Sequence, residues 1–407
     1  RSGPPSRPQR PAIPGLLLAV APMAADMTGA TTEIGGGGDR DRPPTCGPET
    51  AVFPLLAVII PTLNEAEALP PLLADLRRQQ GLTLEVIVGD GGSTDGTREV
   101  VEAAGARFVA ARRGRGAQMN AAAAAAGGEW LLFLHADSRL PAPDLLAGAV
   151  AALQRAAAAT PRVAGHFSLR FLRTTMGRDL AYRYLEAKTA LNRVNTTNGD
   201  QGLLLSRAFF RELGGFDEGL PFLEDQRIAE EIRRRGVWMT LPGKLWTSAR
   251  RFETEGFHRR YLLMGIMMGM HSMGMESFFV RAPGVYRAQR ETGRLRLSPF
   301  FALLWSMIRC DWGWAGTVRV FYRLGRYIRQ NAWQPFFFVD VWLQSIRGAH
   351  RTPLLALHDR FVAPIFACRP VDAVVGLGCF VWYMGVLSLW FGLTETPFTS
   401  LLRIDRK

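Results

Sequence analysis

Two hydrophobic rhythms alternate between residues 56 and 134. Compact apolar runs at Leu56–Pro61, Glu85–Gly89 and Trp130–Leu134, with a shorter one at Arg107–Ala111, have the length and composition of strands in a buried parallel sheet. Between them, about 66–80, 98–105 and 117–127 carry helical spacing, and the last holds a run of six alanines. Strand and helix in strict alternation predict an α/β class: a mostly parallel, Rossmann-like sheet covered by helices on both faces, with right-handed crossovers. After Asp137 the rhythm loosens. Asp144 heads an Ala-rich helix to about Ala159, Val163–Phe171 alternates as a strand, and Arg178–Arg193 is helical. Gly202–Leu205 and Val237–Leu241 read as short strands, with a charged helix at Glu224–Arg235 before the second.

Beyond about residue 256 the pattern changes again. Tyr261–Val280 holds six Met, and Leu297–Ile308 is twelve uncharged residues, too few to cross a bilayer. Ala373–Leu393 is 21 residues without a charge. At 1.5 Å per residue a helix of that length covers a hydrocarbon core of about 30 Å, so 373–393 is a candidate transmembrane segment. Residues 1–50 are rich in Pro, Gly, Ser and Arg and predict a disordered tail. The expected organisation is a tail (1–50), an α/β domain (51–260) and a helical C-terminal region (261–407).

The 407 residues carry a net charge of +13. Between Arg281 and Arg351 there are twelve Arg, no Lys and three acids, so much of the excess lies outside the strand-rich part. Arg319, Arg323 and Arg326 fall on one helical face, with Val320, Leu324 and Ile328 turned away. That pairing suits an anionic membrane surface better than nucleic acid, and no nucleic-acid partner is expected. Attachment to a membrane follows, with the α/β domain on a cytosolic or organellar stromal side. The four cysteines are scattered without a Cys-x-x-Cys, which predicts neither a disulfide framework nor a zinc site.

The chemistry gathers at strand ends, where open α/β sheets bind ligands. The first strand ends in Pro61-Thr62-Leu63-Asn64-Glu65, the second in Asp90-Gly91-Gly92, the fourth in His135-Ala136-Asp137. Each is a carboxylate beside a tight turn. Asp95 is placed to cap the helix after the second. One such turn means little, but three predict a shared polar site. Arg112–Asn120, with Gly114 and Gly116 beside Arg115 ahead of a helix, suits a pyrophosphate. Downstream come Asn198–Gly202, Gly214–Asp217 and Leu223-Glu224-Asp225.

Over about residues 55–260 these motifs, in this order, resemble family-2 glycosyltransferases of the GT-A fold. The resemblance implies that Pro61, Thr62, Asn64, Glu65, Asp90, Gly91, Gly92, Arg115, Gln118, Asn120 and His135 bind a nucleotide-diphosphate sugar, with Asp90 on the base. It implies that Asp137 holds a divalent cation, Mg²⁺ or Mn²⁺, against the diphosphate, although His135 stands where the family has a first Asp. It implies that Asp225, beside Glu224, is the general base of an inverting transfer, and that Arg250 and Arg251 close over the diphosphate. Leu-His-Ala-Asp-Ser-Arg-Leu-Pro is similar to a narrower subfamily associated with arsenosugar biosynthesis. The acceptor is open, a lipid-linked one being compatible with a membrane-attached C-terminus. A polyprenyl-phosphate sugar transferase and a non-catalytic nucleotide-sugar-binding membrane protein are the alternatives. A dinucleotide fold is excluded because Gly89-Asp90-Gly91-Gly92-Ser93-Thr94 lacks the last glycine of Gly-x-Gly-x-x-Gly, and a P-loop because no Gly-Lys-Ser/Thr occurs.

Overall fold

The computed structural model describes residues 55–197, 199–287, 294–347 and 351–395. The predicted tail, Asn198 and the basic residues Arg403, Arg406 and Lys407 lie outside them.

The expected alternation is present. β1 (Leu55–Thr62), α1 (Leu69–Arg77), β2 (Thr83–Asp90), α2 (Thr97–Ala103), β3 (Arg107–Ala110), α3 (Arg115–Ala124) and β4 (Trp130–Phe133) follow one another, then α4 (Leu145–Ala159) and β5 (Val163–Leu172). α5 (Asp179–Thr189), β6 (Leu203–Ser206), α6 (Arg207–Leu213), α7 (Glu224–Arg235) and β7 (Val237–Ser248) complete a seven-stranded sheet in the order β3-β2-β1-β4-β6-β5-β7. β1 pairs in parallel with β2 and β4, β2 with β3 and β5 with β7, while β6 runs antiparallel to both neighbours. This is the expected α/β architecture, a mostly parallel sheet.

The period-2 alternation of strand side chains explains why both faces are covered. Leu56, Val58, Ile60, Val88 and Leu132 point to the face packed by α1 and α4. Ala57, Ile59, Ile87, Leu131 and Phe133 point to the opposite face, against Met119 and Ala122 of α3 and Ile228 and Ile232 of α7. Full burial of each large aliphatic side chain contributes about 2 kcal/mol. β7 is twice the predicted length because its second half, Lys244–Ser248, continues alongside β5 past a register shift between His166 and Ser168. α6 was not foreseen. It starts at Ser206, whose hydroxyl accepts the Phe209 N–H, and buries Phe209 and Phe210.

The rest is helical: α8 (Arg250–Glu255), α9 (Phe257–Ser272), α10 (Glu276–Arg287), α11 (Ser298–Met307), α12 (Gly313–Gln330), α13 (Trp333–Arg347), α14 (Pro353–Leu357), α15 (Ala363–Phe366), α16 (Arg369–Phe380) and α17 (Ser388–Glu395). Residues 369–395 form one helix of 27 residues, with mean hydropathy 1.8 over its most apolar window. It packs antiparallel on α12: Arg329 pairs with Asp372 at 2.5 Å, and the Phe321 and Phe380 rings lie 5.0 Å apart. The backbones touch where Gly325 meets Gly376; a Cβ on Gly376 would sit 2.5 Å from the Phe321 carbonyl oxygen. The buried side of α12 holds Val320 and Leu324, as its pattern predicts, while Arg319, Arg323 and Arg326 are exposed.

Candidate functional site

The loops after β1 and β2 are sewn together. Asp90 ends β2, and its carboxylate accepts from the Thr62 hydroxyl (3.0 Å), the Ser93 hydroxyl (2.5 Å) and the Gly92 and Ser93 N–H groups (2.9 and 2.8 Å). Burial works to raise its pKa, but these bonds outweigh it and hold it below the usual range. Four donors fill a carboxylate's acceptor sites, so Asp90 shapes the turn that carries Gly91 and Gly92. Asn64, at φ +58°, donates its N–H to Ser93 Oγ and accepts the Thr94 N–H. Glu65 N–H donates to Thr97 Oγ1, and Ala66 N–H to Asp95. The cap position of α2 is Gly96 rather than Asp95, which accepts from Thr97 and Ala66 instead.

Gln118 and Asn120 also serve the scaffold. Gln118 is buried, and its amide donates to the carbonyls of Thr62 and Gly89, clamping the ends of β1 and β2 onto α3. Asn120 exchanges hydrogen bonds with the Phe216 backbone and donates to Glu218 Oε1 at 3.0 Å, fixing the Gly214–Glu218 turn. These contacts account for the donors of both amides without a ligand.

The charged residues converge elsewhere. Arg115, first in α3, lies 3.2 Å from Glu224 Oε1 through its Nε and 3.3 Å from His135 Nε2 through Nη1. On its other side, His135 Nδ1 meets Asp200 Oδ1 at 2.6 Å. Burial works to lower the Arg115 pKa, but the charges of Glu224, Asp225, Asp200 and Asp137 raise it. One arginine thus stands among four carboxylates from three parts of the chain. Arg251, in the first turn of α8, is felt by Glu65, Asp137 and Asp200; Arg250 is felt by Glu65.

Asp225 lies in the first turn of α7, which opens at Leu223 with φ +63°. Its Oδ1 accepts the Gln226 N–H at 2.9 Å. Beneath it a cavity of about 30 Å³ is walled by Met119, Phe133, Phe216, Ile228 and Trp238. Burial and the Glu224 charge push the Asp225 carboxyl up, and Arg115 and His135 pull it back only in part. Asp137, after β4, is raised by burial and by Asp200, against His135 and Arg251. Glu65 is raised by burial and by Asp137, against Arg251 and Arg250. Asp200 goes the other way: its bond to His135, with the charges of His135, Arg251 and Arg115, overcomes burial and holds it well below the carboxylate range.

Sequence reasoning did not assign roles to Gly199 and Asp200 in the single turn Gly199–Gln201, nor to the pair that braces the loop after Asp137. There Asp75 of α1, buried, accepts from Arg139 Nε and Nη2 at 2.6 and 3.1 Å and from the Leu140 N–H. Gly199 separates His135 from Asp225: a Cβ there would lie 2.8 Å from His135 Nε2 and 3.0 Å from Asp225 Oδ2. Gly199→Ala is expected to drive these side chains apart and lower activity at least about tenfold, with little change in the urea midpoint. Unchanged kinetics would show that the spacing is not used.

Among the described residues no group of three His, Cys, Asp or Glu side chains forms a ready-made metal cage. The arrangement still fits a hard cation held jointly with a ligand, since Mg²⁺ and similar ions take one or two carboxylates and fill the remaining positions with phosphate oxygens and water. Asp137, raised by a neighbouring carboxylate, is the side chain whose repulsion such a cation would relieve.

Residues 57–214 match the family model described as glycosyl transferase family 2. A PGL/p-HBAD biosynthesis glycosyltransferase of Mycobacterium bovis is 40% identical over 101 residues, covering 23% of this chain and 40% of that protein. The chain therefore spans less than half the length of that relative. The succinoglycan biosynthesis protein ExoA of Rhizobium meliloti is 28% identical over 210 residues, 45% of this chain and 60% of its own. Among solved structures, a mannosyltransferase of Pyrobaculum calidifontis in complex with GDP-Man and Mn²⁺ aligns over 84% of this chain and 88% of its own, at 23% identity and TM-score 0.44.

Proposed function

We propose that the chain is an inverting glycosyltransferase that moves a sugar from a nucleoside-diphosphate sugar to an acceptor hydroxyl or phosphate. The observation that carries this reading is the cluster of Asp137, Asp200, Glu224 and Asp225 around Arg115, drawn from the loop after β4, the turn before β6 and the starts of α7 and α3. The family-2 match over 57–214 supports it.

In this reading Asp225 takes the acceptor proton on Oδ2, since Oδ1 is held by the Gln226 N–H. The acceptor oxygen attacks the anomeric carbon as the bond to the diphosphate breaks, and the nucleoside diphosphate departs with the negative charge. Arg115 holds Glu224 and keeps Asp225 from rising further. Arg251, with Arg250 beside it, offsets charge on the diphosphate side. Glu65 and the sewn β1–β2 loops form the nucleoside side. Asp137 would hold the divalent cation, which neutralises leaving-group charge when bound. The narrower arsenosugar resemblance rests on Leu134–Pro141 and names no acceptor. A hydrolysis screen over nucleoside-diphosphate sugars tests the activity: release of nucleoside diphosphate from one donor class supports it, and none from any donor contradicts it.

We also propose that the C-terminal helices attach the protein to a bilayer surface. The 369–395 helix is long and apolar enough to cross a membrane. Its pairing with α12 argues for a different placement. Continuing the register set by Gly325–Gly376 and Phe321–Phe380 brings Arg319 beside the middle of 373–393. A crossing would then place that guanidinium near the bilayer centre, at a cost of about 3 kcal/mol or more. Lying in the interface, the helix can bury Leu377, Trp382, Leu389, Trp390 and Leu393, all exposed, while the arginines meet lipid phosphates. Alkaline carbonate is expected to release the full-length protein from membranes; retention in the pellet would support crossing instead.

A further inference from the structure

A second polar cluster lies away from the carboxylates, between α5, α9 and α13. Tyr184 and Lys188 stand four residues apart on one face of α5. Tyr184 Oη, Lys188 Nζ and Tyr261 Oη, from α9, all reach Gln334 Oε1 of α13, at 3.1, 3.2 and 3.3 Å. The ammonium can only donate, so the Gln334 amide turns its oxygen to Lys188, and its NH₂ donates to Asn331 Oδ1 at 3.3 Å. A carbonyl oxygen has two acceptor positions, and an ammonium alone brings three hydrogens. Among the described residues no carboxylate lies within ion-pair distance of Lys188; its other neighbour is the Tyr261 ring, 5.9 Å away. The surroundings are apolar and aromatic: Tyr184, Trp333, Phe337 and Leu185 are buried there. Burial pushes the ammonium down to about 8.

Tyr184 and Tyr261 also hydrogen-bond to each other, but the Lys188 ammonium is left with one neutral carbonyl oxygen that it shares with both phenols, a costly arrangement for a partly buried cation in an unliganded protein. An anion with several oxygens would offset it by accepting from all three donors. We propose that Lys188, Tyr184 and Tyr261 form a binding site for a phosphate group, separate from the carboxylate cluster around Arg115. The phosphate belongs either to a free phosphate or to a lipid headgroup. The site's existence does not depend on the proposed transferase activity.

The test uses the full-length chain with two probes, inorganic phosphate by calorimetry and phosphatidylcholine vesicles with or without phosphatidic acid by flotation. Lys188→Met removes the charge and keeps the length of the side chain. Tyr184→Phe and Tyr261→Phe keep the rings and remove the donors. Arg251→Gln serves as the control for phosphate taken up at the other cluster. Phosphate binding that weakens about tenfold or more in Lys188→Met and in the double Phe variant, but survives Arg251→Gln, supports a free-phosphate site. The same pattern seen only with phosphatidic acid vesicles supports a headgroup site. Equal binding of wild type and Lys188→Met to both probes, or no binding to either, overturns the proposal. Urea midpoints guard against misfolding, and Lys188→Arg, which restores the charge, is expected to recover part of the affinity.

Discussion

Replacing Asp225 by asparagine is expected to lower sugar transfer by roughly 10²–10⁴-fold, the usual contribution of a positioned general base, while donor affinity changes little. The amide has the size of the carboxylate, and its oxygen can keep the Gln226 N–H bond. It loses only the capacity to take a proton. The pH profile gives an independent check. Burial and the neighbouring Glu224 raise the Asp225 pKa, and a base works only when deprotonated. Activity should therefore fall on acidification through a limb above the ordinary aspartate range. Arg115→Gln, which removes the charge opposing that rise, should move the limb to higher pH. A limb that stays in place in Arg115→Gln, or near-normal turnover in Asp225→Asn, would assign the base to another group.

The second large effect concerns the cation. EDTA is expected to reduce turnover to background, and Mn²⁺ or Mg²⁺ to restore it. In Asp137→Asn, restoration should fail at the metal concentrations that suffice for wild type. Stability of the unliganded protein should not fall in this variant. Asp137 is raised by burial and by the charge of Asp200, so removing its charge relieves repulsion, whereas a carboxylate serving only the fold would be missed. Full turnover in chelator would mean that Arg115 and Arg251 carry the diphosphate charge unaided.

The sheet was legible in the chain because a parallel strand buried on both faces leaves an unbroken apolar run, as in Leu56–Ile60 and Trp130–Leu134. The second half of β7 was not, since Pro242-Gly243-Lys244 interrupts the pattern and only pairing with β5 makes it a strand. The charged cluster was legible where its pattern is local: Glu224-Asp225 at a helix start, Arg115 after a glycine, and Asp137 at a strand end all meet in one place. Sequence motifs do not separate side chains that face the cleft from those that hold it. Asp90, Gln118 and Asn120 sit in the expected motifs, yet their polar groups bond to the turns at Gly92–Ser93, Thr62 and Phe216. Asp200, Gly199 and the Asp75–Arg139 pair depend on contacts across 64 or more positions or between loops, which no local spacing encodes.

The stereochemistry of donor hydrolysis tests the central claim most directly, because it needs no knowledge of the acceptor. A single base acting on an attacking oxygen permits one displacement at the anomeric carbon, with inversion. With an α-linked nucleoside-diphosphate sugar as donor and water as acceptor, proton NMR at early times reads the anomer first released, before mutarotation. One base at Asp225 predicts the β-anomer first; initial release of the α-anomer would contradict it.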